Sequence, residues 1–133
     1  DTFFGGNVRE KVTISATAAT GTVNFDAITQ SVLYYTTNAS GNWTLNVRGD
    51  GSTTLNSIMA TGDSLTIAFL VTQGSSAYYQ ATFKVDGSAV TPKYAGGSAP
   101  SAGNASGIDG YAMTIIKTGD AAFTALGALT EFG

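Results

Sequence analysis

The chain has 133 residues, of which 43% are hydrophobic and only 11% are charged, and its formal net charge is −3. This length fits one domain with a two-layer core, and the slightly acidic balance argues against a nucleic-acid partner. Cys and His are both absent, which excludes disulfides, thiolate metal sites and histidine general bases. No apolar run approaches the roughly 18 residues of a membrane span.

The chain begins with a short aromatic segment, DTFFGG at residues 1–6. Residues 1–7 are predicted to form an N-terminal arm, and residues 8–133 a single β-sandwich domain. We expect Phe3 and Phe4 to dock onto a neighbouring subunit, and a frayed terminus is the alternative. From Val8 to Ala16 the apolar residues alternate with polar ones, which predicts a strand with one face in a core.

The next third of the chain continues with short strand patterns. Val23 and Phe25 mark one strand, and Trp43, Leu45 and Val47 mark another by their alternation. Residues 31–36 are apolar on both faces, which indicates a strand covered on both sides. After the polar loop at 48–52, the spacing of Leu55, Ile58 and Met59 predicts a short helical turn, capped by Ser52 or Thr53.

Residues 63–87 hold the strongest strand signal. Leu65, Ile67, Phe69 and Val71 share one face, and the alternation resumes from Tyr79 to Val85 after a polar loop at 73–76. This pattern predicts two long strands joined as an antiparallel hairpin. Asp86-Gly87 then predicts a two-residue turn into a further strand, which Pro92 ends or places at an edge.

The last third begins with GGSAPSAGNASG at residues 96–107, which predicts an exposed loop and a candidate for function. Tyr111, Met113 and Ile115 then alternate, and TGD at 118–120 predicts another hairpin turn. The total is about nine strands with one short helix, which predicts an all-β fold. We expect an antiparallel β-sandwich of jelly-roll or Greek-key type.

No residue pattern predicts catalysis, a metal or a cofactor. Asp50, Asp63, Asp86 and Asp120 each adjoin a glycine in a predicted turn, where an Asp side chain ordinarily bonds the turn backbone. Their spacing does not indicate the carboxylate pair of a glycosidase. The tripeptide Arg48-Gly49-Asp50 matches an integrin-binding motif, but such triplets are common by chance and a turn between strands explains this one.

Tyrosines supply the remaining site candidates. Most lie in strand patterns, where core or interface packing explains them. Tyr78, predicted to face outward, and Tyr94, near the long loop, are least explained by a core. We therefore expect these two residues to contact a partner. A sugar-binding face that includes them is the alternative.

Extended phrases of the sequence resemble a domain found in virion structural proteins of marine tailed phages, especially cyanophages. The matching stretches are REKVTISATAATGTVNFD at 9–26, SVLYYTTNASGNWTLNVRG at 31–49, MATGDSLTIAFLVTQGSSAYY at 59–79, VDGSAVTPKYAGGSAPSAGNASGID at 85–109 and YAMTIIKTGDAAFTALG at 111–127. The resemblance covers nearly the whole chain. One departure is that Trp often precedes the paired glycines of the family, where Tyr94-Ala95 stands here.

The resemblance implies a non-enzymatic structural protein of the phage particle, extracellular after release. It favours an oligomeric module of the tail, baseplate or fibre, with contacts to the host surface as a further expectation. A capsid decoration protein and a carbohydrate-binding adhesin are the alternatives. The expected partners are copies of the chain itself, other virion proteins and host surface glycan, with no nucleic acid, membrane or cofactor. The resemblance implies no catalytic residue in this chain.

Overall fold

The computed structural model describes residues 6–133, in which ten strands and one short helix form. In chain order these are β1 (Val12–Ala18), β2 (Gly21–Asp26), β3 (Val32–Thr37), β4 (Trp43–Arg48), α1 (Leu55–Ile58), β5 (Ser64–Thr72), β6 (Gln80–Val85), β7 (Ser88–Ala89), β8 (Lys93–Tyr94), β9 (Ile108–Gly119) and β10 (Ala122–Phe132). The prediction of an all-β fold with one short helix is confirmed. The predicted N-terminal arm, with Phe3 and Phe4, lies almost wholly outside the described residues.

The strands form two sheets. One is six-stranded with the order β1-β3-β5-β9-β10-β8, and the other is four-stranded with the order β2-β4-β6-β7. From β1 to β6 each strand passes to the opposite sheet, so strands two apart along the chain become neighbours and pair in parallel.

The expectation of an antiparallel sandwich is therefore wrong, although the all-β sandwich is confirmed. Among the strands of residues 6–133, antiparallel pairs are β9 with β10, β6 with β7 and β5 with β9. The parallel pairs also differ from jelly rolls and Greek keys, in which neighbouring strands run antiparallel.

The predicted hairpin at residues 63–87 is wrong in the same way. Its two strands are β5 and β6, which lie in different sheets. Residues 73–79 carry the chain across, and Gln73 holds the crossing because its side chain donates to the Tyr78 carbonyl at 2.6 Å and accepts from the Tyr78 amide at 3.1 Å. Both strands still turn their apolar faces into the core, from opposite sides.

The turns predicted from the sequence agree with the structure better than the predicted strand pairing does. The Asp86-Gly87 hairpin is confirmed, with φ of 51° and 81° as a two-residue turn between β6 and β7 requires. The turn after Gly119 joins β9 and β10 as expected. Helix α1 begins one residue later than predicted, since its N-cap is Thr54, whose hydroxyl accepts from the Ser57 amide at 3.1 Å.

One hydrophobic core lies between the two sheets. Trp43 of the four-stranded sheet meets two aromatic rings of the six-stranded sheet edge to face, at centroid distances of 5.8 Å to Phe69 and 5.6 Å to Tyr111. Edge-to-face pairs of this kind add to the free energy gained by burial. The largest fully buried side chains are Trp43, Tyr111, Phe25, Phe69, Phe83, Leu45, Leu55, Ile67, Met113, Ile115, Val47 and Val71.

Candidate interaction surface

The side of the six-stranded sheet that faces away from the core forms one continuous surface, here called the outer face. Residues paired across neighbouring strands point to the same side of a sheet. One row across the outer face is Val12, Val32, Ala68, Ala112 and Ala128. The next row is Ile14, Tyr34, Leu70, Gly110 and Thr130.

The outer face combines exposed aliphatic side chains with hydroxyl groups and has almost no charge. Ile14 is 68% exposed and Leu126 is 45% exposed. Between the rows of aliphatic residues lie threonines such as Thr66 and Thr114, whose hydroxyls are 2.9 Å apart. Among the outward residues of β1, β3, β5, β9 and β10 none is charged, and a charge appears only at Lys93 on the β8 edge, opposite Leu126.

The four-stranded sheet presents the opposite chemistry to solvent. Its outward residues include Asn24 and Asn46, whose amides bond across the strands at 3.0 Å. The next pair outward is Asp26 and Arg48, which form a salt bridge at 2.7 Å with both side chains about 30% exposed. Thus the outward side of the four-stranded sheet bears amide and charged side chains, whereas the outer face bears hydroxyl and aliphatic groups.

Strand β1 shows the difference most clearly. Thr13 pairs with Leu33, a buried core residue, so Thr13 points inward and its hydroxyl donates to buried Gln30 at 2.7 Å. Val12 and Ile14 therefore point outward. The alternation predicted from the sequence is present, but the expectation that its apolar face enters the core is wrong.

The two tyrosines predicted to contact a partner do not lie on the outer face. Tyr94 pairs with Gly127 on the inward side of β8, and its ring lies so close that a Cβ at Gly127 would be 2.6 Å from it. Burial raises the pKa of the Tyr94 phenol. Tyr78 lies in the crossing at 73–79, partly buried against the core. Their predicted role as partner contacts stays a prediction.

Tyr94 does line a small groove. The cavity has a volume of about 170 Å³ and is bordered by Gln80, Phe83, Pro92 and Pro100 as well as Tyr94. Pockets for small ligands usually measure about 300 to 1,000 Å³. The groove is therefore smaller than an ordinary ligand site, and Tyr78 does not line it.

The turn carboxylates bond to nearby backbone or side-chain donors. Asp50 accepts from the Ser52 amide at 2.9 Å, and this bond lowers the pKa of Asp50. Asp63 accepts from the Ala60 amide, and Asp120 from the Asn56 side chain. Asp86 reaches a more distant part of the chain, because its two oxygens accept from the Leu55 and Asn56 amides at the start of α1. Across residues 6–133 no three His, Cys, Asp or Glu side chains gather as metal ligands would.

The Arg48-Gly49-Asp50 tripeptide is engaged within the protein. Arg48 bonds Asp26, and this hydrogen bond raises the pKa of Arg48. Gly49 is buried against the Thr53 carbonyl, and Asp50 closes its own turn. The interpretation as a turn between strands fits this geometry.

Asp109 is fully buried in the structure, and no sequence pattern predicted this. Its Oδ2 accepts from Gln73 Nε2 and from the Asn104 amide, both at 3.0 Å. Together with a bond from the Ser106 amide to the Gly74 carbonyl at 2.8 Å, Asp109 fixes the end of the loop predicted at 96–107. This loop is irregular, as expected, but its second half is held to the sheet.

Comparison with known proteins adds no assignment: no family model, no curated protein and no solved structure matches the chain. In the part of the chain that the structure describes, no helix has the length and apolar character to cross a membrane. The outer face is therefore the feature on which a functional hypothesis can be based. The sequence signal for it was the run at 31–36, which is apolar on both sides.

Proposed function

We propose that the chain is a non-enzymatic structural protein of a tailed-phage particle, an oligomeric module associated with the tail, baseplate or fibre. The resemblance of residues 8–132 to virion domains of marine phages supports this proposal. The observation that carries it is the outer face, which has no charge on its five longer strands and exposes Ile14 and Leu126, because exposed apolar side chains grouped on one surface mark interaction sites in soluble proteins. A protein that assembles with copies of itself and with other virion proteins needs such a surface.

The test is the presence of the chain in assembled particles. Phage particles would be purified on a density gradient, and the chain quantified by mass spectrometry against a phage enzyme that is not packaged. We expect a fixed whole-number copy ratio to a known tail protein, and antibody-gold label at the tail. If the chain occurs in the lysate but is lost from purified particles together with the enzyme, the proposal is wrong.

The same experiment distinguishes a tail module from a capsid decoration protein, which is the alternative. A shell protein would be present in the many copies of the capsid lattice, and gold label would surround the head. A tail module would be present in few copies at one end of the particle.

The carbohydrate-binding alternative has weaker support from the geometry. Tyr94 is held against Gly127, and the groove beside it is small. A glycan array with the parent chain and Tyr94→Ala tests it directly. Retention of a glycan by the parent and its loss in the variant would favour an adhesin over a purely structural module.

A further inference from the structure

We propose that the outer face is an interface on which a second copy of this chain packs. The proposal rests on the proposed function, since a virion module acts as an oligomer, and it specifies the surface and the partner. Three observations lead to it: the area of the face, its chemistry and the orientation of β1.

The area is sufficient for a specific contact. Neighbouring strands lie about 4.8 Å apart and six residues of a strand extend about 20 Å, so the outward rows of β1, β3, β5, β9 and β10 cover roughly 500 Å². Two copies packed through this face would bury on the order of 1,000 Å², which is the lower bound for a specific interface. The size therefore fits a symmetric contact between two equal sheets.

The chemistry permits an identical partner. In a symmetric contact the residues near the two-fold axis meet their own copies, and a charge at that position would meet a like charge, which opposes association. The outer face has no charge on β1, β3, β5, β9 or β10, whereas the opposite sheet bears Asp26, Arg48 and Lys84. The outer face can therefore pack against itself without repulsion, and the opposite sheet remains solvated.

The orientation of the side chains in β1 and β3 favours an outer face that packs against a partner. In β1 the apolar residues Val12 and Ile14 point away from the core while Thr13 points into it. In β3, Val32 and Tyr34 point outward and Leu33 points inward. A strand that is apolar on both sides is typical of sheets covered on both faces, and within residues 6–133 only the inner side is covered.

The geometry of the contact follows from sheet packing. Two sheets pack face to face about 10 Å apart with their strands aligned to within about 30°. Small residues at the centre of the face, such as Ala68 and Ala112, allow that close approach, and the larger Ile14 and Leu126 lie toward the sides. Ala112 is therefore the position at which a long charged side chain would most disturb the contact.

The test uses Ala112→Lys and Leu126→Lys, with Thr82→Lys as the matched control. All three side chains are exposed in one copy, and Thr82 lies on the opposite sheet. Each variant would be checked for folding by circular dichroism and then studied by sedimentation velocity from 1 to about 500 μM. An Ala112→Lys chain that fails to fold would be replaced by Leu126→Lys, which changes a side chain nearer the sheet edge.

We expect the parent chain and Thr82→Lys to associate with the same dissociation constant, and each outer-face variant to weaken association at least 100-fold. Higher oligomers of the parent that Ala112→Lys disrupts also support the inference. A parent chain that stays monomeric over this range would overturn it, and so would assembly that Thr82→Lys abolishes but Ala112→Lys leaves unchanged. Absence of the chain from particles would instead overturn the virion role and leave the self-contact standing.

Discussion

The contact of Asp86 with α1 can be tested sharply because one carboxylate accepts from the first two amides of the helix. Asp86 lies in the turn between β6 and β7, where its φ of 51° is unusual for a residue other than glycine. Its Oδ1 accepts from the Leu55 amide at 2.7 Å and its Oδ2 from the Asn56 amide at 2.9 Å. These amides have no partner within the helix, so without the carboxylate they lose their acceptors.

The magnitude follows from the two bonds. A hydrogen bond to a charged group contributes about 1.5 to 3 kcal/mol, and water can partly replace Asp86 because it is only half-buried. Asp86→Gly also relieves the strain of a positive φ. We therefore expect Asp86→Gly to lower the free energy of unfolding by about 2 to 3 kcal/mol, and Asp86→Asn, which keeps one acceptor and tolerates the turn, by about half as much.

The measurement is urea unfolding followed by tryptophan fluorescence, because Trp43 is the single tryptophan and is buried in the core. Thr54→Ala, which removes the other cap of α1, should cost about 1 kcal/mol alone and less in combination with Asp86→Gly, since both act on one helix. Asp120→Asn is the control, because Asp120 is exposed and accepts only from the Asn56 side chain. If Asp86→Gly is as stable as Asp120→Asn, the carboxylate does not hold the helix.

Three further predictions concern buried polar groups. Lys117 donates to the carbonyls of Asn56 and Met59 at 2.7 and 2.8 Å, so Lys117→Met should lower the free energy of unfolding by about 3 kcal/mol in a urea titration. Asp109→Ala leaves the Asn104 amide without its acceptor, so hydrogen exchange at that amide should accelerate at least tenfold while β9 stays protected. Burial raises the pKa of Tyr111 far above its usual value of about 10, so above pH 10 this phenol ionises only in the unfolded state. The free energy of unfolding should therefore fall by about 1.4 kcal/mol per pH unit above pH 10. A free energy of unfolding that is flat from pH 10 to 11.5 would contradict this.

Much of the fold could be predicted because strands and tight turns are local features. Alternation from Leu65 to Val71 identified β5, and Asp86-Gly87 identified the β6–β7 turn. Pairing was predicted wrongly because alternation shows which side of a strand is apolar and not which sheet it joins. The crossing at 73–79 depends on Gln73, whose bonds to Tyr78 are not apparent from residue type.

The candidate surface was harder to predict than the fold. Its residues lie on five strands far apart in the chain, and only the sheet order brings Val12, Ala68 and Ala128 into one row. The alternation in β1 was read as core-facing because apolar residues more often point inward. Tyr78 and Tyr94 were predicted as partner contacts because they are aromatic and lie near loops, whereas the structure packs both against the core.

The sandwich could associate through an edge as well as through a face, and its strand geometry favours the face. The free edge of β1 offers backbone groups to another strand, but its pairing with β3 shifts register between Ser15 and Ala18, which bends a strand and hinders further pairing. Addition of β1 to a different edge strand would repeat from copy to copy and could produce open fibres, whereas two outer faces that meet each other close the assembly. We therefore expect Ile14→Lys, on the outer face of β1, to weaken self-association, and Thr17→Lys, exposed where the register shifts, to leave it unchanged in the same sedimentation assay. The reverse result would show that copies join through the edge of β1.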